Sequence, residues 1–160
     1  MRRTVEVNYQ IWIDAPPATV KSQFADIQHH IDTNVHPKLR FELLAQEPRR
    51  ARFTQEVKLL GIRQRDMFDR TIDEDGTIHD LSVDGFNKGG TLDFRFIPAA
   101  EGGRDGTTVD VTIRLQTPPL LGWLAPVLKS QVLREVDAAS KEDKRDIERG
   151  YRPSSAMAMA

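Results

Sequence analysis

The residues best placed to do chemistry are polar groups that fall on otherwise apolar strand faces. Phe53, Gln55, Val57 and Leu59 share one parity, and Ile62, Gln64, Asp66, Phe68 and Arg70 share another. Successive strand side chains point to opposite faces, so if the apolar members face a core the polar ones do too. An unpartnered buried polar group is costly, so each needs a neighbour in the protein or on a ligand. Asp66 and Arg70, two pleats apart, are one such pairing. The competing reading is a bulge that slips the register and turns them to solvent. Tyr9 and His79 join the set on parity. His36 precedes Pro37 and, as a neutral imidazole, has the chemistry of a general base. Asp66, His79 and His36 are therefore the acid/base candidates.

Other chemistries are disfavoured. His29, His30 and His36 lie near Asp32, but a metal needs ligands converging on one point. Adjacent helical residues diverge by about 100°, and no two histidines sit four apart, so no metal site is expected. Gly85, Gly89 and Gly90 lack phosphate-loop spacing and read as turn residues, with Asn87 and Lys88 at a tip that could gate a cavity. None of Ser22, Ser82, Ser130, Ser140, Ser154 and Ser155 has a nucleophile-elbow context. There is no cysteine, which excludes disulfide and thiolate chemistry. With 23 Lys and Arg against 24 Asp and Glu, the net charge of −1 offers no basic footprint, so no nucleic-acid partner is expected. Arg2 and Arg3 begin the chain like a signal peptide, but no apolar run follows them, nor is there one long enough for a membrane span. A cytoplasmic protein is the expectation.

The elements that must position these residues follow from periodicity. Val5, Val7, Tyr9, Ile11 and Ile13 alternate with polar residues, which predicts a half-buried strand. Pro17 suits the first turn of a helix, and Val20, Phe24, Ile27 and Ile31 recur on one face. The helix must stop before Pro37, with Thr33-Asn34 a plausible break. From residue 39 to 116 the period returns to two. Leu39–Leu43, Phe53–Leu59, Ile62–Ile72, Ile78–Val83, Leu92–Phe96 and Val109–Leu115 read as six more strands. Asp75-Gly76 is a hairpin turn, and short connections imply an antiparallel meander. Inward parity on the fifth strand is assigned to His79, Leu81 and Val83.

After Pro118-Pro119, Leu124, Leu128, Val132, Val136 and Ala139 form the face of a long amphipathic helix. Its charged continuation, Lys141 to Arg149, reads as a solvated end with internal ion pairs. Leu120-Leu121-Gly122-Trp123-Leu124 is a dense apolar run at the helix start, with the composition of a lip that touches a membrane transiently or admits a ligand. Residues 1–152 are expected to form one domain and 153–160 a disordered tail.

The chain resembles the SRPBCC superfamily, which holds START domains, polyketide cyclase/dehydrase-like proteins and birch-pollen-allergen relatives. The polyketide cyclase and coenzyme-Q-binding type is the best match within it. The resemblance is carried by Val5-Glu6-Val7 through Val20, Lys58-Leu59-Leu60-Gly61-Ile62, Gly90-Thr91-Leu92, Asp105-Gly106-Thr107-Thr108-Val109 and the helix after Pro118. It implies an α+β helix-grip fold, a curved antiparallel sheet of about seven strands around a long C-terminal helix, with a cavity between them. It does not imply one activity.

The expected function is binding or carriage of a small hydrophobic molecule: a lipid, an isoprenoid quinone, or an aromatic or polyketide compound. The alternative is a cofactor-free polyketide cyclase or aromatase that uses an inward acid/base residue. No cofactor is expected. Expected cavity residues are Tyr9, Phe53, Gln55, Val57, Gln64, Asp66, Phe68, Arg70, His79, Leu81, Leu92, Phe94, Leu124, Leu128 and Val132.

Overall fold

The computed structural model describes residues 3–158; the expectations for Met1, Arg2, Met159 and Ala160 lie outside it. The elements run β1 (Thr4–Ile13), α1 (Pro17–Ala25), α2 (Ile27–Asp32), β2 (Arg40–Glu47), β3 (Arg50–Leu59), β4 (Ile62–Ile72), β5 (Ile78–Gly85), β6 (Thr91–Glu101), β7 (Arg104–Gln116), α3 (Ala125–Glu148) and α4 (Ser155–Ala158). A single 3-10 turn, Gly122–Leu124, leads into α3. The seven strands form one antiparallel sheet in the order β1-β7-β6-β5-β4-β3-β2. Each of β2 to β7 pairs with its chain neighbour, as short turns require. β1 closes on β7 along its whole length, from Thr4 opposite Gln116 to Ile13 opposite Thr107. The α1–α2 excursion carries the chain from that edge to the far one.

The sheet's inner face and α3 share one core. Val5, Val7 and Ile13 of β1, Val109, Val111, Ile113 and Leu115 of β7, and Leu128, Val132 and Ile147 of α3 are buried together. Tyr9 pins this packing: its hydroxyl donates to Asp137 Oδ1 on α3 at 2.7 Å. Burial and that carboxylate push the phenol's pKa up to about 12. Trp12, on the outward parity of β1, donates its indole N–H to the Ala99 carbonyl, and the Lys144 ammonium lies 5.2 Å from its ring centre.

The apolar face expected as one helix is two. The chain breaks at Asp26, where φ is −89° and ψ 77°. Its carboxylate is a hub. Oδ1 accepts from the His29 amide and the Ser154 hydroxyl, and Oδ2 from the Tyr151 hydroxyl and the Ser154 amide. Burial works against this carboxylate's charge, but those donors hold its pKa below the usual range. The expected frayed tail is corrected accordingly: Ser154 is bound at this hub, and Met157 packs on the core.

Two further expectations change. The charged end of α3 is not uniformly solvated, because Ser140, Asp143 and Ile147 are buried. They continue the inward spacing of Val132, Val136 and Ala139. On β5 the inner face is Ile78, Asp80 and Ser82, while Leu81 is 45% exposed. A bulge is present, but on β5: Met67 lies opposite Asp84 and Phe68 opposite Ser82, which leaves Val83 unmatched. β4 keeps its parity, so Asp66, Phe68 and Arg70 all face inward.

Candidate functional site

A cavity of about 170 Å³ lies between the sheet and α3. Six phenylalanines supply much of its wall: Phe24 from α1, Phe41 from β2, Phe53 from β3, Phe68 from β4, Phe86 just after β5 and Phe94 from β6. The Phe53 and Phe68 rings stack 5.4 Å apart, and Phe24 lies 5.8 Å from Phe94. Such tilted and stacked rings present flat apolar surface at little conformational cost.

The polar groups within this wall are mostly spoken for. Arg70 grips Asp80 across β4 and β5 with two parallel bonds of 2.7 and 2.8 Å. Its third nitrogen donates to the Phe24 carbonyl at 2.9 Å, and its guanidinium lies over Phe53. The pairing is therefore with Asp80, not Asp66. Asp66 Oδ1 accepts from the Ser82 hydroxyl at 2.8 Å and the Asn87 amide at 2.7 Å. Burial pushes the Asp66 pKa up, and these two bonds only partly oppose it. Among the described residues, the Gln55 amide has no hydrogen-bond partner, although Gln55 lines the cavity. It is one polar group with capacity left for a ligand. The tip expected as a gate is tied down, because the Asn87 side-chain oxygen accepts from the Gln116 amide at 2.8 Å.

The opposite wall carries a histidine–carboxylate cluster. His30 Nδ1–H donates to the Asp26 carbonyl at 2.7 Å, which turns Nε2 toward Asp143 Oδ1, 2.9 Å away. His36 Nδ1 meets Glu142 at 3.1 Å, and its Nε2 lies 3.2 Å from the same Asp143 oxygen. The two rings stack at 5.1 Å. His29 points away, to Asp146, so adjacent histidines do diverge. Burial opposes charge on His36, but Asp143 and Glu142 outweigh it and lift its pKa to about 9. Burial also acts upward on the Asp143 carboxyl, yet His36 and His30 hold it well below its usual range. At neutral pH, His36 in this ion pair is an acid, not the neutral base expected. Among the described residues, His30, His36 and Asp143 are the group whose ligand atoms could hold a metal, all lying within 4.8 Å of one another.

The structure brings Phe53, Gln55, Val57, Asp66, Phe68, Arg70, Leu92, Phe94, Val132 and His36 to the cavity. It does not bring six others. Tyr9 is spent on Asp137. Gln64, paired with Val57 toward the hairpin end of β4, lies beyond the lining. His79 and Leu81 are on the outer face, where His79 sits between Asp73 and Asp93 at 2.9 and 2.6 Å. Leu124 precedes the lined stretch of α3, and Leu128 is buried in the core below it. That stretch begins at Val132, so the exposed lip of Leu120 and Trp123 does not border the cavity. The sequence reading missed Phe24, Phe41, Asp80, His30 and Asp143. For Asp143 a signal existed, since 132, 136, 139, 143 and 147 continue one helical face.

No protein-family model matches the chain, and neither does any curated protein sequence. Solved structures do. One from Thermus thermophilus superposes with a TM-score of 0.79 at 22% identity, covering 92% of this chain and 99% of that one. The Zhui aromatase/cyclase from Streptomyces superposes at 0.73 and 15% identity, covering 94% and 97%. A START superfamily protein from Mycobacterium smegmatis superposes at 0.70 and 16% identity, covering 90% and 97%. These are neighbours of the kind the SRPBCC resemblance implies. At such identities the likeness is one of architecture, and it establishes that this chain adopts the helix-grip fold that START and aromatase/cyclase structures share.

Proposed function

We propose that this chain binds a small, predominantly apolar molecule in the cavity between sheet and long helix. One observation carries the reading: six phenylalanines wall the cavity, and the unpaired Gln55 amide lies among them. Apolar burial supplies affinity in such a site, and a few placed polar groups orient the ligand. A lipid tail, an isoprenoid quinone or an aromatic polyketide has this character, each offering a carbonyl or hydroxyl that Gln55 could engage. Native mass spectrometry of the purified chain, followed by organic extraction, tests it. A stoichiometric apolar adduct supports carriage. A bare mass, with no saturable uptake of any of these three ligand classes, would sink the reading.

A second reading is a cofactor-free cyclase or aromatase, favoured by Asp66 and by the Zhui aromatase/cyclase among the fold neighbours. A buried carboxyl with a raised pKa at a cavity wall is a usable acid/base group. Turnover of a poly-β-keto substrate that Asp66→Asn abolishes, while ligand uptake persists, would establish it.

A further inference from the structure

The histidine–carboxylate cluster is arranged as a metal site. We propose that His30 Nε2, His36 Nε2 and Asp143 Oδ1 bind one divalent first-row transition ion at the cavity wall. The inference goes beyond ligand binding and depends on no particular cavity ligand.

Three features of the geometry support it. Both ring Nε2 atoms lie beside the same carboxylate oxygen, at 2.9 and 3.2 Å. Two ligands each about 2.0–2.1 Å from a zinc-sized ion sit roughly 3 Å apart, so these edges match a coordination shell with little movement. Each ring is also oriented through its other nitrogen. Asp26 is a carbonyl acceptor to His30 Nδ1, and Glu142 a carboxylate acceptor to His36 Nδ1. Metal-bound histidines are held by such partners, which fix the tautomer that leaves Nε2 as the donor. Third, the three ligands come from α2, the loop after it and α3, elements tied together by the Asp26 hub and the shared core. The positions therefore do not depend on one flexible segment.

Two imidazoles and one carboxylate suit zinc, cobalt, nickel or iron(II) far better than calcium or magnesium. Three protein ligands leave at least one coordination position open. His30, His36 and Asp143 all line the cavity, so that position would be open to water or to an oxygen of a cavity ligand. On binding, the ion takes the place of the protons that otherwise bridge these atoms, and protons are released to solvent.

Titration of the tag-free, chelator-treated full chain with cobalt(II), followed by its visible d–d absorption, tests the proposal. One ion per chain is expected, displaced by one equivalent of zinc. Asp143→Asn and His36→Gln should each weaken cobalt binding tenfold or more, while His29→Gln leaves it unchanged. Glu142→Gln should weaken it by about tenfold to a hundredfold, as loss of an orienting partner does. Absence of saturable binding overturns the proposal. So does binding that survives both ligand substitutions, or that falls equally with His29→Gln. Metal-edge X-ray absorption of the unaltered chain covers variants that fail to fold. Two imidazoles in the zinc shell support the site, and an oxygen-only shell refutes it. The failure of carriage leaves each of these readouts intact.

Discussion

Arg70 and Asp66 began as two polar residues of the same parity and ended with different partners. Arg70 is locked to Asp80 in a buried bidentate pair, with a further bond to the Phe24 carbonyl. Removing one member of such a pair strands a buried charge, so Arg70→Met should lower stability by roughly 3–5 kcal/mol. Denaturant unfolding measures this, and a loss below about 1 kcal/mol would show that water relieves Asp80. Asp66 acts oppositely with pH. Burial raises its folded-state pKa, so the folded chain holds that proton more tightly than the unfolded chain. The resulting stabilisation is complete below the ordinary carboxyl pKa and is lost as pH rises through the raised one. Unfolding free energy measured from acid to neutral pH should therefore carry a falling component that Asp66→Asn removes. Asn can still accept from Ser82 and the Asn87 amide through its side-chain oxygen, so the variant should fold.

At the scale of elements, the α1–α2 junction depends on residues far along the chain. Asp26 is satisfied by Tyr151 and Ser154, which follow α3. A chain ending at Arg152 keeps the Tyr151 bond but leaves Asp26 without both Ser154 donors. It should lose about 1–3 kcal/mol, read as a lower denaturation midpoint with an unchanged denaturant slope. The β5 end makes a second case. Gly85 has φ +116°, and a Cβ there would lie 2.2 Å from the Arg65 carbonyl oxygen. Gly85→Ala should therefore destabilise by about 1–3 kcal/mol and loosen the turn whose Asn87 amide holds Asp66, which amide exchange at Asn87 would report. Periodicity made the strands, the turns at Gly61 and Gly76, and the face of α3 legible. It failed on β5, where alternation by hydrophobicity put His79 and Leu81 inward. Asp80 and Ser82 are inward instead, because Arg70 and Asp66 across the ladder satisfy them.

For the whole molecule, the cavity is the property to test. Ala139 of α3 faces it with only a methyl group. Ala139→Phe should fill part of that space, abolish uptake of an apolar ligand and leave the fold intact. Calorimetry of uptake and circular dichroism check this together, and undiminished uptake would place the ligand elsewhere. Among the described residues, no helix is long and apolar enough to cross a membrane. Leu120 is 83% exposed and Trp123 72%, and the apolar run at the start of α3 lies outside the cavity lining. The sequence by itself determined the order of elements, the antiparallel meander and the apolar faces, because periods of 2 and 3.6 residues are local properties. Only the tertiary structure decided which polar residues meet. His30 and His36 reach Asp143 more than a hundred residues away, Arg70 finds Asp80 rather than Asp66, and Ser154 returns to Asp26. Each of those contacts depends on a bulge, a helix break or a packing register, and long-range burial sets all three.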